Sequence, residues 1–133
     1  MEFDVKVLKL VDMLREKGFR VTPQRLSIAR IIFEQIKSHP SFTEILSKAR
    51  KEIPGVSTST VYNTLKLLEE LKLVQNFCVA GETLYDSPYP HVNIVEPSGR
   101  VVDAPDEVSR QVVALLEKSL GKRVKNVIVY VED

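Results

Sequence analysis

The chain has no tryptophan, a single cysteine, two histidines and five glycines in 133 residues. With Cys78 alone, no intrachain disulfide and no zinc site built on cysteine pairs can form. Nothing in the cysteine usage points to an oxidising compartment. Charge of one sign is lacking too, since 19 Lys and Arg stand against 18 Asp and Glu for a net charge of +1. No apolar run approaches the ~20 residues of a membrane-spanning helix, so no membrane partner is expected. The opening Met1-Glu2-Phe3-Asp4 shows no basic stretch leading into an apolar one, the mark of a secretory signal, and a cytoplasmic location is expected. A glycine-rich phosphate loop, a nucleophile elbow and paired catalytic carboxylates are all missing, which argues against an enzyme and against a small organic substrate. Internal repeats and low-complexity segments are missing as well.

What is present is the composition of a soluble folded chain, 44% hydrophobic and 28% charged. The length suits one domain, or two small ones that share a dimer interface. The charge is unevenly spread. Lys17, Arg20, Arg25 and Arg30 follow one another with no intervening acid, and Lys48, Arg50, Lys51 and Lys66 face Glu52 alone. Residues 87–133 carry six basic and seven acidic groups. The cationic surface therefore belongs to the first two-thirds of the chain, and a local patch of this kind is what phosphate binding requires.

The periodicity predicts helices first. Phe3, Val7, Leu10, Val11 and Leu14 repeat at helical spacing until Gly18. Thr22 is a good N-cap with Pro23 in the first helical position, and Leu26, Ala29, Ile32, Phe33 and Ile36 form the stripe of a second helix. After His39-Pro40, Ser41 or Thr43 opens a short third helix with Ile45, Leu46 and Ala49 inside, which Pro54-Gly55 ends. A fourth helix then starts from Ser57 or Thr58.

That fourth helix carries the functional signal. At about 100° per residue, Val61, Leu65, Leu68 and Leu71 share one side, while Ser59, Tyr62, Asn63 and Lys66 share the opposite one. The second face holds hydroxyls, an amide, a phenol and an ammonium, with no carboxylate before Glu69. Ser57 and Thr60 add hydroxyls to an acid-free first turn, where backbone N–H groups can also meet a phosphate. Such a face suits base edges in a DNA groove, with Arg20, Arg25 and Lys51 as further cationic contacts. It is also the ordinary solvated side of a core helix, and Arg25 and Arg30 can instead pair with acids such as Glu34.

Extended runs follow. Leu73 to Ala80 and Glu82 to Asp86 flank Gly81 as a hairpin, so the order helix, helix, helix, hairpin describes a winged helix-turn-helix over residues 1–86. Ser87-Pro88-Tyr89-Pro90 reads as a stiff hinge over 87–90. In 91–133, His91 to Val95 and Arg100 to Asp103 flank a Pro97-Ser98-Gly99 turn. A helix from Pro105-Asp106 follows, with Val108, Val112, Leu115, Leu116 and Leu120 on one face. The strand Val124 to Val131 is apolar on both sides and should be buried on both. About 45 residues are too few to bury it unaided, so 91–133 is expected to dimerise with a second copy. The fold class expected is α+β, a winged helix followed by a small α/β dimerisation domain.

Arg20-Val21-Thr22-Pro23-Gln24-Arg25, His39-Pro40, Ser59-Thr60-Val61-Tyr62-Asn63-Thr64-Leu65, Leu84-Tyr85-Asp86 and Gly99-Arg100-Val101-Val102-Asp103 together resemble the ferric uptake regulator family of metal- and peroxide-responsive repressors. The likeness covers the whole chain, and the Val-Thr-Pro-Gln-Arg and Thr-Val-Tyr motifs at this separation are specific. It implies a homodimeric repressor on a palindromic operator in double-stranded DNA. In the family a basic residue at the position of Arg20 enters the minor groove, and a tyrosine at the position of Tyr62 reads the major groove.

The resemblance breaks in the metal-binding half. Typical members of the family carry two cysteine pairs for structural zinc; here Val95-Glu96-Pro97-Ser98 replaces the first, and the chain ends in Val-Glu-Asp. A structural four-cysteine zinc is thus excluded, and the apolar last strand is expected to replace it as stabiliser. The sensing site is better kept. His39, Asp86, His91 and Asp103 stand at or near positions that ligate the regulatory metal in the family. Two imidazoles and two carboxylates suit one divalent transition ion per subunit, Fe, Mn or Zn. A metal-independent regulator, with His39 merely capping a helix and the two aspartates solvated, stays open beside this reading. So does a winged helix used for protein–protein assembly. Cys78, between Phe77 and Val79, is expected to be a buried structural thiol.

Overall fold

A computed structural model describes residues 2–133, with the side chains of Glu2 and Phe3 outside the described part. The chain divides into two compact units, one up to Ser87 and the other from Pro88 to Asp133.

In the first unit α1 spans Glu2–Glu16, α2 Pro23–Gln35, α3 Phe42–Glu52 and α4 Thr58–Glu70, followed by β1 Gln75–Val79 and β2 Glu82–Asp86. Each helix start has a visible cause. The Thr22 hydroxyl accepts from the Arg25 N–H at 3.1 Å, with Pro23 next to it where no N–H is needed. Ser41 and Glu44 form a reciprocal capping box, each side chain accepting the other's backbone N–H at 3.2 Å. Ser57 caps α4 by accepting the Thr60 N–H at 3.1 Å. Between α2 and α3 lies a single 3-10 turn, Ile36–Ser38, that periodicity does not announce. His39 closes it in the left-handed region (φ 54°), its N–H bonded to the Ile36 carbonyl.

Apolar side chains from all four helices meet in one core, where Leu10, Leu14, Ile28, Ile32, Ile45, Val61, Leu65 and Leu68 are fully buried. Tyr85 of the wing joins it. Burying each such aliphatic side chain stabilises by roughly 1.5–3 kcal/mol, and this holds the outer face of α4 outward. The first wing strand begins at Gln75 rather than Leu73. Lys72 takes a left-handed conformation (φ 59°) and the Leu73 N–H returns to the Leu68 carbonyl, so these residues serve to end α4.

The wing closes through Ala80-Gly81, both at positive φ (52° and 80°). Positive φ at both central residues is the mirror-image turn that two-residue hairpins favour, and Asn-Gly is its preferred pair. A left-handed conformation strains alanine by about 1–2 kcal/mol. Ala80→Asn should therefore stabilise the chain by about 0.5–1 kcal/mol, read as a higher urea midpoint at unchanged slope. An unmoved midpoint would show that the turn is not strained.

In the second unit β3 is Val92–Val95, β4 Val101–Asp103, α5 Asp106–Leu120 and β5 Val127–Tyr130. The sheet order is β4-β3-β5, with β4 antiparallel and β5 parallel to the central β3. Asn93 in β3 is fully buried; its amide donates to Asn126 Oδ1 at 2.9 Å and to the Val127 carbonyl at 3.3 Å. This ties the last strand to the sheet.

Two expectations fail here. On α5 the buried residues are Ser109 and Val113, while Val108, Leu115 and Leu120 are 44%, 66% and 63% exposed. A small three-stranded sheet covers one narrow line of the helix, and Ser109 earns its place in it by accepting the Val92 N–H at 3.0 Å. The last strand is shorter than expected and is not buried on both sides, with Val129 39% and Tyr130 64% exposed. It stands at the edge of the sheet, and no described element of its own unit covers its outer side.

Candidate nucleic-acid interface and metal-ligand pairs

The outer face of α4 emerges as its periodicity requires. Val61, Leu65, Leu68 and Leu71 point into the core, and Ser59, Tyr62 and Asn63 are exposed. No acid stands in the first turn. Its hydroxyls are organised as a chain: Ser57 Oγ lies 2.6 Å from Thr60 Oγ1 and 3.3 Å from Ser59 Oγ, and Arg50 donates to Thr58 Oγ1 at 2.8 Å. Thr64 donates back to the Thr60 carbonyl at 2.9 Å. Arg50, named from the sequence only as part of the cationic patch, thus pins the end of α3 to the start of α4.

Tyr62, 43% exposed, is held from two directions. The Phe42 ring meets it edge-on with centroids 5.6 Å apart at 81°. Lys66 Nζ lies 5.3 Å from its ring centre. Glu69, 3.6 Å from the Lys66 ammonium, raises the lysine pKa above its ordinary value, and the Tyr62 phenol adds to that. Lys66 stays charged, but part of that charge is answered within the protein. Burial raises the Tyr85 phenol, with Glu69 adding to the effect.

Of the other cationic candidates, Lys51 is exposed near the end of α3. Arg20 is exposed in the loop before α2, and the Arg25 guanidinium donates to its backbone carbonyl. Arg30 pairs with Glu34 at 3.1 Å and with Asp4 at 3.7 Å, the structural alternative raised for the arginines of this segment. Thr22, Gln24, Arg25, Thr60, Asn63 and Thr64 line a polar depression of about 250 Å³ between the starts of α2 and α4. Cys78 is exposed, contrary to the expectation of a buried thiol. The strand alternates, and Phe77 and Val79 take its inner side.

The four metal-ligand candidates fall into two pairs, one in each unit. In the first, His39 Nε2 is 3.7 Å from Asp86 Oδ2, and both residues are buried (5% and 1% exposed). Asp86 Oδ1 accepts the Ser87 N–H at 2.8 Å, and the Phe77 ring stands edge-on to His39 at 6.1 Å. Asp86 is therefore not the solvated strand-end carboxylate of the metal-free alternative. In the second unit, His91 Nε2 is 3.2 Å from Asp103 Oδ1, and His91 Nδ1 is 2.9 Å from the Tyr89 carbonyl. A carbonyl only accepts, so Nδ1 carries a proton and donates it. Nε2 of a neutral ring then turns its lone pair toward a carboxylate, an arrangement that a cation between them completes. A backbone carbonyl behind Nδ1 is also the usual support of a metal-ligating histidine. Ligands about 2.0–2.2 Å from one ion stand ~3.0–3.5 Å apart, close to the separation within each pair. The donor set suits a divalent transition ion.

Four helices with a wing, a polar outward face on the last of them and a separate α/β unit define a winged-helix transcription regulator. The chain belongs to the ferric uptake regulator family, whose model matches residues 16–131. It is 32% identical over 126 residues to a ferric uptake regulation protein homolog of Archaeoglobus fulgidus, covering 94% of this chain and 95% of that one. A Campylobacter jejuni peroxide stress regulator has a similar structure, with a TM-score of 0.68 and 31% identity over 93% of this chain and 96% of that one. A zinc-bound manganese uptake regulator superimposes with a TM-score of 0.65 and 26% identity, over 92% and 96% of the two chains. The family consists of regulators, not enzymes. Among the described residues no helix is long and apolar enough to cross a membrane.

Proposed function

We propose that this chain is a repressor that binds a palindromic operator as a homodimer, in the cytoplasm, under the control of a divalent metal. Residues 1–86 bind DNA, 87–90 act as the hinge and 91–133 dimerise. Tyr62, Asn63 and Ser59 read base edges in the major groove, and Arg20 enters the minor groove. Arg25, Lys51, Ser57, Thr60 and Lys66 meet phosphates. His39, Asp86, His91 and Asp103 hold one Fe, Mn or Zn ion, which supplies a link between the hinge-connected domains. Of the relatives named above, one is a peroxide stress regulator and one a zinc-bound manganese uptake regulator; the two imidazole–carboxylate pairs favour a metal signal for this chain.

The observation that carries the DNA reading is the division of α4, apolar residues fully buried on one side and Ser59, Tyr62 and Asn63 exposed on the other. Such a face lies outside the core, so its chemistry is free to serve recognition. Tyr62→Ala and Asn63→Ala should each weaken binding to an operator selected from a randomised duplex pool by about 1–3 kcal/mol per contact, or roughly 5- to 150-fold. Thermal stability and affinity for random duplex should change little. Unchanged operator affinity in Tyr62→Ala would remove the recognition-helix assignment and favour a protein-assembly role for the winged helix.

A further inference from the structure

We propose that Phe42 is a positioning residue for Tyr62: it fixes the tyrosine ring in the direction from which it reads a base. The inference rests on the reading of Tyr62 as a base contact. A tyrosine on an exposed helix face ordinarily samples several rotamers, and each must be given up on binding. Here Phe42 meets the ring edge-on at 5.6 Å, and Lys66 lies against it at 5.3 Å. Edge-to-face contacts of this kind are attractive beyond the area they bury.

Phe42 can serve as a fixed stop because its own backbone is fixed. It is the first residue of α3, directly after the Ser41–Glu44 capping box. The preceding residues are bound to the wing: the Tyr85 N–H donates to the Pro40 carbonyl at 2.9 Å, and Ser41 bridges to Leu84. Ahead of them stands His39, locked in a left-handed turn against Asp86. The segment from His39 to Phe42 thus joins the wing to the recognition helix, and Phe42 is its point of contact with Tyr62.

A double-mutant cycle of Phe42→Leu and Tyr62→Leu tests this, with the full-length protein and the operator selected by the wild-type chain. An aromatic pair worth ~0.5–1.5 kcal/mol corresponds to roughly a 2- to 12-fold loss of operator affinity for each recognition helix. Phe42→Leu should show that loss when Tyr62 is present and almost none in the Tyr62→Leu background. Phe42→Tyr should restore binding, and random-duplex affinity should hold throughout. In the free protein, side-chain NMR of Tyr62 should show greater ring averaging in Phe42→Leu. Additive effects in the cycle, or an equal loss on random duplex with a lowered melting temperature, overturn the inference and make Phe42 a plain structural residue. A Tyr62→Leu protein with full operator affinity overturns the base-reading assignment and the inference together, so the two failures are distinguishable.

Discussion

A Val129→Asp protein is expected to sediment as a monomer and to lose operator binding by roughly 10³-fold or more, the gap between specific and non-specific affinity. β5 ends the sheet order β4-β3-β5, and its residues Ile128, Val129 and Tyr130 are 36%, 39% and 64% exposed. Val131 beyond it is 40% exposed. An apolar edge strand with no proline or lysine within it is a template for another strand. The apolar stripe Val108, Leu115 and Leu120 of α5 is exposed in the same unit. A second copy supplies the same groups, and an isologous contact matches each patch with its own counterpart. Two recognition helices must stand ~34 Å apart, or a multiple of it, to read a palindrome, and only a fixed dimer enforces that spacing. Two buried aspartates facing one another would be uncompensated charges in that interface. Val129→Thr, which keeps the β-branched shape, should remain dimeric. A wild-type chain that sediments as a monomer at micromolar concentration would count against the dimer altogether.

The edge strand also shows what the sequence conveys and what it withholds. Apolar residues on both sides of β5 signal burial, but not by what, because a period-two pattern carries no label for a partner in another chain. α5 misleads for a related reason. Val108, Leu115 and Leu120 belong to an apolar helix stripe wider than the sheet beneath it, so periodicity alone points to one face while the sheet takes the line of Ser109 and Val113. In the first unit, by contrast, local signals agree with one another. Thr22-Pro23 places its helix start to the residue, while Ser41 rather than Thr43 and Ser57 rather than Thr58 turn out to be the caps. The four-helix core buries Leu10, Leu14, Ile32, Ile45, Leu65 and Leu68, with Leu26 and Leu46 packed partly buried against it. Tyr62 and Asn63 were legible because the stripe opposite them was. Phe42 was not, because its partner lies twenty positions along and only the packing of α3 on α4 brings the rings together. Cys78 was misread for want of the strand register, since a shift of one residue exchanges its two faces.

Chelator-treated protein is expected to bind the selected operator roughly 5- to 150-fold more weakly than the same protein supplied with Mn²⁺, Fe²⁺ or Zn²⁺. His39 and Asp86 form a buried pair 3.7 Å apart in one unit, and His91 and Asp103 a pair 3.2 Å apart in the other. Either pair alone gives an ion two protein ligands, fewer than structural or regulatory sites use, so neither is expected to hold it tightly. Asp86 and His91 are five positions apart, a chain length that spans at most ~17 Å, so the connection is compatible with the proposal that one ion takes ligands from both pairs. An ion that takes ligands from both must fix the orientation of the domains across residues 87–90. Whatever orientation the ion prefers, operator binding either shares it or opposes it, and linkage makes the effect reciprocal: operator DNA should tighten metal binding by the same factor. Removing one imidazole should break the link, so His39→Ala and His91→Ala should each bind operator equally with and without metal, His91→Ala at the level of the chelated wild type and His39→Ala below it. His39 begins the segment that ends at Phe42, so its loss should also loosen the Tyr62 ring, whereas His91→Ala should not. Equal operator affinity in chelated and metal-loaded wild-type protein would mean that the chain keeps its family's DNA-reading half without the metal switch.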